Sequence, residues 1–167
     1  GTDRIYEFSK KINSDIYINV QGDEPMIRSL DIKKFIDFSL LHKNTVVNAM
    51  TDVSGLYEFK NLNVPKVVYD LENNLIYMSR SPIPGSKKNN FLKAKKQVCI
   101  YSFPKNSLKK FGLKRKKTFF ENIEDIEILR FLEMGEKVKM FQLKEGTIAV
   151  DTIEDAKKVG KLIKNEK

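Results

Sequence analysis

The order of apolar and polar positions predicts strands that alternate with helices along the 167-residue chain. The stretch DIYINV has the β-branched and aromatic content of a strand, and Ser29 then opens a run whose apolar residues recur at helical spacing. TVVNAM predicts the next strand. PKVVYDLENNLIYMS predicts a hairpin that turns at residues 72–74, because polar turn formers separate two β-rich runs there.

The second half of the chain continues this alternation. SPIPGSKKNN breaks regular structure, since two prolines and a glycine stand among polar residues. KQVCIYSF predicts a strand, and KNSLKKFG predicts a helix that ends at Gly112. ENIEDIEILRFLEMG predicts one helix, with Gly135 after its end, and KVKMFQL predicts a short strand. In AVDTIEDAKKVGKLIK, Asp151 stands at a predicted strand end, and Thr152 with Asp155 is typical of a capping box.

This pattern predicts an α/β fold with a mostly parallel sheet and an added antiparallel hairpin, in a single domain over residues 1–167. Ligands of such sheets bind at the carboxyl ends of the strands, where Asp23 and Asp151 both stand. Two carboxylates beside a phosphorylated ligand suit Mg²⁺. The pattern also fits a loop cap at Asp23 and a favourable helix-start acid at Asp151. Both interpretations stay open on these residues alone.

Composition narrows the function classes. The net charge of +9 suits a polyanionic partner, but the lysines are scattered and arginine is scarce, so we expect no nucleic acid and keep a basic nucleic-acid-binding domain as a weaker alternative. No apolar run reaches the roughly 18 residues of a membrane span, and we expect no membrane contact. The only cysteine, Cys99, precludes an intrachain disulfide and favours the cytoplasm.

Several common chemistries lack their residues. His42 is the only histidine, so a Ser-His-Asp, Cys-His or histidine-rich metal site has too few members. Cys99 lies inside a strand pattern and is predicted to be a small buried hydrophobe. Neither GxxxxGK[ST] nor GxGxxG occurs, which excludes P-loop hydrolysis and the common dinucleotide fingerprint.

The stretch VQGDEP resembles the CMP-Kdo synthetases, the 3-deoxy-manno-octulosonate cytidylyltransferases. Six further stretches match that family in order and spacing, namely GTDR, PKVV, YMSRSPIP, IYSF, EILRFLEMGE and VDTIEDAKKV. The resemblance implies a Rossmann-like nucleotidyltransferase fold, a homodimer, and the reaction of CTP with a 3-deoxy-2-keto sugar acid to give a CMP-sugar and pyrophosphate. The sugar hydroxyl attacks the α-phosphate itself, so positioning and charge stabilisation replace a protein nucleophile.

The resemblance assigns roles to residues 21–24, which we call the acidic loop, and to Asp151. It implies that Asp23 and Asp151 hold Mg²⁺, in agreement with their places at strand ends. Gln21 is expected to contact the reacting sugar or nucleotide, and Glu24 to shape the same loop. We therefore expect catalysis to depend on Asp23, Asp151 and Gln21.

The resemblance also implies a set of sugar contacts. Arg80 is expected near the acidic sugar, where a guanidinium pairs bidentately with a carboxylate, although a surface ion pair would also suit it. Tyr101 and Glu127 are expected to contact sugar hydroxyls. Glu127 also stands three residues before Arg130, a spacing that fits a helical ion pair.

The chain departs from the family pattern at three positions. Gln97 and Cys99 stand where HxGIYxY has histidine and glycine, and Ile128 stands where the family has glutamine. An alkyl group in place of an amide removes a donor and an acceptor from a polar pocket, so we expect the sugar to be Kdo or a close analogue, such as its 8-amino form or another nonulosonate-like acid.

The resemblance begins in the middle of the expected domain. Family members carry a strand and a glycine-rich, basic segment around the CTP triphosphate before the position of GTDR. We therefore expect the N-terminal third of the nucleotidyltransferase domain to be missing from these residues. A catalytically inactive sugar- or nucleotide-binding module of the same fold is the alternative to an active cytidylyltransferase.

Overall fold

A computed structural model of the chain describes residues 1–88, 90–114, 116–144, 147–150 and 152–165. The helices within these residues are α1 (Thr2–Ser9), α2 (Ser29–Leu41), α3 (Leu56–Lys60), α4 (Lys105–Leu113), α5 (Phe119–Glu124), α6 (Ile128–Glu133) and α7 (Ile153–Asn165). The strands are β1 (Ile16–Val20), β2 (Val46–Asp52), β3 (Lys66–Tyr69), β4 (Leu75–Ser79), β5 (Lys95–Pro104) and β6 (Val138–Gln142). None of the helices in the described part of the chain has the length and apolar content that crossing a membrane requires.

The long strand β5 is the centre of a six-stranded sheet with the order β4-β3-β5-β2-β6. One edge of β5 pairs with β3 along its first residues and with β1 along its last residues, while β2 pairs along the other edge. Strand β5 thus has three neighbouring strands, which flank it along its length. Residues from its whole length can therefore contribute to one site.

The prediction of a mostly parallel sheet is wrong. Among the described strands only β2 and β6 pair in parallel, and β1, β2 and β3 all run antiparallel to β5. Asp52, the last residue of β2, lies opposite Lys95, the first residue of β5. Strand β5 therefore begins beside the end of β2 and runs back along it, whereas parallel pairing would require a crossover to the far end of the sheet.

The predicted hairpin is confirmed as β3 and β4. Its turn is built around Asp70, whose Oδ1 accepts hydrogen bonds from the amides of Glu72 at 2.9 Å and Asn74 at 2.7 Å. Asn73 adopts a φ of 62°, a left-handed conformation that asparagine tolerates better than most residues. The turn is thus encoded locally in the DLENN sequence.

Apolar side chains cover both faces of the sheet. Phe35 of α2 packs with Val47 and Ile100 on one face. On the other face α4 and α6 contribute Leu108 and Phe131 to a larger core, with α1 packed at its side. The result is a three-layer arrangement in which β5 lies between two cores.

Two helix predictions need correction. The stretch predicted as one helix forms α5 and α6, because Asp125 between them adopts a left-handed φ of 51°. Gly112 lies inside α4 rather than after it, and a Cβ there would come within 2.1 Å of the Tyr6 ring. Gly112 therefore allows α1 to approach α4 and does not end the helix. Gly135, with a φ of +76°, does follow the end of α6 as predicted.

The C-terminal prediction is confirmed in part. Residues 147–150 form no strand, and Asp151 lies outside the described residues. The predicted capping box exists, since Thr152 Oγ1 and Asp155 Oδ2 lie 2.7 Å apart and each side chain also accepts from the other residue's amide. The SPIPGSKKNN stretch contains neither helix nor strand in its described residues.

Candidate active site

A cleft of about 1770 Å³ is bordered by β5, the loop after β1, α3 and the start of α7. Its lining includes every described residue that the sequence nominated for the site, namely Gln21, Asp23, Glu24, Arg80, Tyr101 and Glu127. Asp151 lies outside the described residues. Residues that are far apart in the chain are thus brought together in one place.

Strand β5 forms the floor of the cleft. Its alternate residues Gln97, Cys99 and Tyr101 line the cavity, as the period-two alternation of a strand requires. Cys99 is only half-buried, so the prediction of a buried small hydrophobe is wrong. The side-chain amide of Gln97 donates from Nε2 to Asn48 Oδ1 at 3.0 Å, which fixes the Gln97 side chain against the sheet.

The loop after β1 is anchored on Cys99. The Gln21 amide donates to the Cys99 carbonyl at 3.0 Å, and the Cys99 amide donates to Glu24 Oε1 at 3.1 Å. These two bonds use both backbone groups of Cys99, so Asp23 is held between two fixed points. Glu24 thus shapes the loop.

Two carboxylate oxygens in this loop stand out by their surroundings. Asp23 Oδ1 and Glu24 Oε2 are buried and have no hydrogen-bond partner within the described residues. Burial raises the pKa of Glu24, and Thr147, the Cys99 amide and Lys96 only partly offset it. Buried carboxylate oxygens without a donor suit a cation, and oxygen donors beside phosphate are what Mg²⁺ prefers.

The donor set therefore fits Mg²⁺. Within the described residues no group of three or more His, Cys, Asp or Glu side chains could hold a metal ion. Mg²⁺ commonly takes only one or two carboxylates and fills its remaining positions with water and substrate oxygens. Val150, next to Asp151 in the chain, donates from its amide to the Asp23 carbonyl at 2.8 Å.

Glu127 reaches the cleft from the start of α6. Its Oε2 accepts from both the amide and the hydroxyl of Thr2, each at 2.7 Å. Burial by itself would raise the pKa of Glu127, but the bonds from the Thr2 amide and hydroxyl oppose this and the pKa is lowered. The alternative of an ion pair with Arg130 is wrong, because Arg130 instead pairs bidentately with buried Glu121.

Arg80 is bound by backbone rather than by a carboxylate within the described residues. Its guanidinium donates to the carbonyls of Glu124 at 2.5 Å, Leu62 at 3.0 Å and Asp125 at 3.1 Å. The alternative of a surface ion pair is therefore wrong for the described residues. Three of the five N–H groups are used, which leaves donors for a ligand in the cleft.

Tyr101 keeps its phenol neutral. Its ring stacks on Phe103 with centroids 5.7 Å apart. Burial, together with the neighbouring Cys99, raises the pKa of Tyr101 well above its usual range. The hydroxyl group therefore remains a proton donor at any physiological pH.

Two of the remaining sequence expectations have a clear outcome. Ile128 is fully buried in the apolar core and does not line the cleft, so the expected loss of an amide from the pocket is wrong for this chain. His42 stacks on Phe38 at the end of α2, away from the cleft. Of the three departures from the family pattern, only Gln97 and Cys99 face the site.

Sequence reasoning missed two buried lysines beside the cleft. Lys66 Nζ donates to the carbonyls of Asn61 and Arg80, and burial together with the Arg80 charge lowers the pKa of Lys66 to about 8. Lys96 lies between Glu58 and Thr147. In a chain with 31 Lys and Arg residues, no local signal marks which lysines are buried.

A family model described as cytidylyltransferase matches residues 1–138. The chain belongs to the cytidylyltransferase family. It is 33% identical over 95% of its length to the 3-deoxy-manno-octulosonate cytidylyltransferase of Geotalea uraniireducens, and 36% identical over 98% to that of Fusobacterium nucleatum. It spans 68% and 67% of these two cytidylyltransferases, about two thirds of their length.

Solved structures agree with this cytidylyltransferase assignment. CMP:2-keto-3-deoxy-manno-octonic acid synthetase complexed with CTP superposes with a TM-score of 0.88 at 31% identity, over 99% of this chain and 68% of that one. A glucose-1-phosphate thymidylyltransferase from Bacillus anthracis, at 13% identity and a TM-score of 0.64, shares the fold. The expected nucleotidyltransferase class of α/β fold is thereby confirmed.

Proposed function

We propose that the chain transfers CMP from CTP to a 3-deoxy-2-keto sugar acid, Kdo or a close analogue, and releases pyrophosphate. The observation that supports this most is the gathering of six residues in one cleft, where two buried carboxylate oxygens have no hydrogen-bond partner among the described residues. The six are Gln21, Asp23, Glu24, Arg80, Tyr101 and Glu127. The names of the relatives agree with the proposal. Because the chain spans about two thirds of their length, the activity is a proposal for these residues.

In the proposed reaction the anomeric oxygen of the sugar forms a bond to the α-phosphorus of CTP as the bond to pyrophosphate breaks, and the hydroxyl proton passes to solvent. Asp23 and Asp151 would hold Mg²⁺, which supplies charge neutralisation at the phosphates. The protein's own contribution is to fix both reactants and to keep their charges compensated. No side-chain nucleophile is needed.

Two groups suit the sugar. The free donors of Arg80 can pair with the sugar carboxylate, since its other N–H groups are already fixed on carbonyls. The neutral Tyr101 hydroxyl can donate to a sugar oxygen, since burial keeps the pKa of that phenol high.

Two more groups complete the binding proposal. Glu127 is kept ionised by Thr2 and can accept from a sugar hydroxyl. Gln21 is fixed at the start of the acidic loop and can contact sugar or nucleotide. Gln97 and Cys99 are the departures that could adapt the pocket to an analogue, because both lie in its floor.

We also propose a homodimer in the cytoplasm. The dimer rests on the resemblance to the CMP-Kdo synthetases, and the compartment on the single cysteine, Cys99. Light scattering on the protein as it elutes from a size-exclusion column tests the dimer. A measured mass equal to that of one chain at micromolar concentration would contradict it.

The test of the proposed function is pyrophosphate release from CTP and Mg²⁺ with Kdo, its 8-amino analogue and a sialic acid, supplied one at a time. We expect turnover with one of the first two sugars, and its loss on chelation and in Asp23→Asn. Asp37→Asn, a change of an exposed acid on α2, serves as the charge-matched control and should keep full activity. Binding of CTP or sugar without pyrophosphate release would instead support the inactive binding module.

A further inference from the structure

Lys96 is a buried cation next to the acidic loop that no step of the proposed reaction uses. It is 7% exposed, and its Nζ donates to Glu58 Oε1 at 2.5 Å and to the Thr147 carbonyl at 2.8 Å. Burying a lysine is costly unless it is paired, so this position needs all of its partners.

The bonds of Lys96 join three parts of the chain. Lys96 belongs to β5 and Glu58 to α3, where Glu58 Oε2 also accepts from the Ser54 amide at 2.6 Å. Thr147 begins the segment 147–150. The lysine therefore fastens that segment to the sheet and to α3 at once.

The other end of the segment is fastened to the acidic loop. The Val150 amide donates to the Asp23 carbonyl at 2.8 Å. Among the described contacts, segment 147–150 is therefore bonded to Lys96 through Thr147 and to Asp23 through Val150, and these four residues form no strand. Asp151, the next residue in the chain, is one of the two proposed Mg²⁺ ligands.

We propose that Lys96 is a positioning residue, which fixes segment 147–150 against the acidic loop that carries Asp23. The inference rests on the proposed function for its catalytic meaning. Without the lysine, the Thr147 carbonyl loses a charged donor and the half-buried Glu58 loses its cation. The segment should then detach from the sheet before the sheet itself is affected.

A neighbouring lysine provides the matched control. Lys95 precedes Lys96 on β5, has a side chain that is 12% exposed against 9% for Lys96, and pairs with Asp52 at 2.8 Å. Its ion pair does not involve segment 147–150. Lys95→Met therefore removes a lysine ion pair from the same strand without touching the proposed attachment.

The experiment compares Lys96→Met, Lys96→Arg and Lys95→Met with the unchanged chain by three measurements. These are hydrogen exchange of the peptide covering 144–152, binding of Mn²⁺ alone by loss of its free electron-paramagnetic signal, and the Mg²⁺ concentration at half-maximal pyrophosphate release. For Lys96→Met we expect faster exchange in that peptide, weaker Mn²⁺ binding and a higher Mg²⁺ requirement, each by about ten- to a hundredfold, as the loss of a charged hydrogen bond predicts. Lys96→Arg should restore most of each value, and Lys95→Met should match the unchanged chain.

Two results would overturn the inference. One is a Lys96→Met protein with unchanged exchange over 144–152. The other is exchange that rises equally in β2 and β6, since this would reveal a general loss of stability rather than a detached segment. If the unchanged chain releases no pyrophosphate, the exchange and Mn²⁺ measurements still decide the role of Lys96.

Discussion

The amide of Val150 donates a 2.8 Å hydrogen bond to the carbonyl of Asp23, which places the residues before position 151 against the acidic loop. The sequence placed Asp23 and Asp151 at predicted strand ends, and Asp151 lies outside the described residues. Residues 147–150 form no strand, and the bond from Val150 joins them to the acidic loop. A site of this kind depends on a few contacts, so single substitutions should have separable effects on activity and on stability.

The first prediction concerns Asp23. Asp23→Asn should lower pyrophosphate release by more than about a hundredfold, since several kcal/mol of charge stabilisation are lost with the carboxylate. Its melting temperature should hardly change, because Oδ1 has no partner within the described residues. Steady-state kinetics and thermal unfolding measure the two effects. Full activity of Asp23→Asn, beside an equally active Asp37→Asn control, would contradict the assignment of Asp23.

The second prediction separates the two roles of Arg80. A lysine cannot reach three carbonyls in the planar geometry of a guanidinium, so Arg80→Lys should lower the free energy of unfolding by roughly 2 kcal/mol. It should also raise KM for the sugar acid more than KM for CTP. Arg4→Lys, at an exposed position of α1, is the control for the chemical change alone. Equal changes in both KM values would show that Arg80 only supports the cleft wall.

Local features of this chain were predictable from its sequence, whereas features set by distant contacts were not. The β3-β4 turn follows from Asp70, Asn73 and Asn74, which bond within a few residues of one another. The direction of β5 depends on the end of the sheet at which this strand begins, and no local sequence pattern predicts that. The same holds for the break at Asp125, since the apolar spacing of α5 and α6 continues through it.

The candidate site shows the same division. Its acidic loop was visible because VQGDEP is a compact motif, and the resemblance supplied Arg80, Tyr101 and Glu127. The burial of Lys66 and Lys96 was not visible in the sequence, because side chains that approach from elsewhere in the fold decide whether a lysine is buried. The misplacement of Ile128 in the pocket has a similar cause, since a helix turns adjacent residues toward different surroundings.

The third prediction concerns the buried pair of Glu121 and Arg130. Glu121 is fully buried and accepts from Arg130 Nε at 2.6 Å and Nη2 at 2.5 Å, and the guanidinium lies 3.8 Å from the Phe111 ring centroid. Glu121→Gln removes the buried countercharge of Arg130, leaves it only the exposed Asp3 at 3.8 Å, and should cost about 3–5 kcal/mol in urea unfolding. Lys110→Met, which breaks the exposed pair with Glu136, should cost under about 1 kcal/mol. Similar losses in both variants would contradict this ranking.

The fourth prediction uses two helical glycines as a matched pair. Gly112→Ala should destabilise the fold by about 1–3 kcal/mol, because the new methyl group would meet the Tyr6 ring at 2.1 Å. Gly160→Ala in α7 meets nothing within 4 Å and should stabilise it by roughly 0.5–1 kcal/mol through helix propensity. Denaturant unfolding of both variants measures the difference. A stabilised Gly112→Ala protein would mean that α1 does not pack on α4 as described.

The fifth prediction follows from Lys66, whose pKa burial and the Arg80 charge lower to about 8 in the folded chain. The unfolded chain keeps that proton up to about pH 10.4, so between these values it binds more protons than the folded chain. The free energy of unfolding should therefore increase as pH rises above 8. Lys66 contributes at most about 1.4 kcal/mol per pH unit to this increase. Lys66→Met leaves two carbonyls without their donor and should be less stable throughout, but it lacks this slope. Urea unfolding from pH 7.5 to 9.5 should thus show a gap between the two proteins that widens with pH, whereas parallel curves would mean that buried Lys66 titrates as an ordinary lysine.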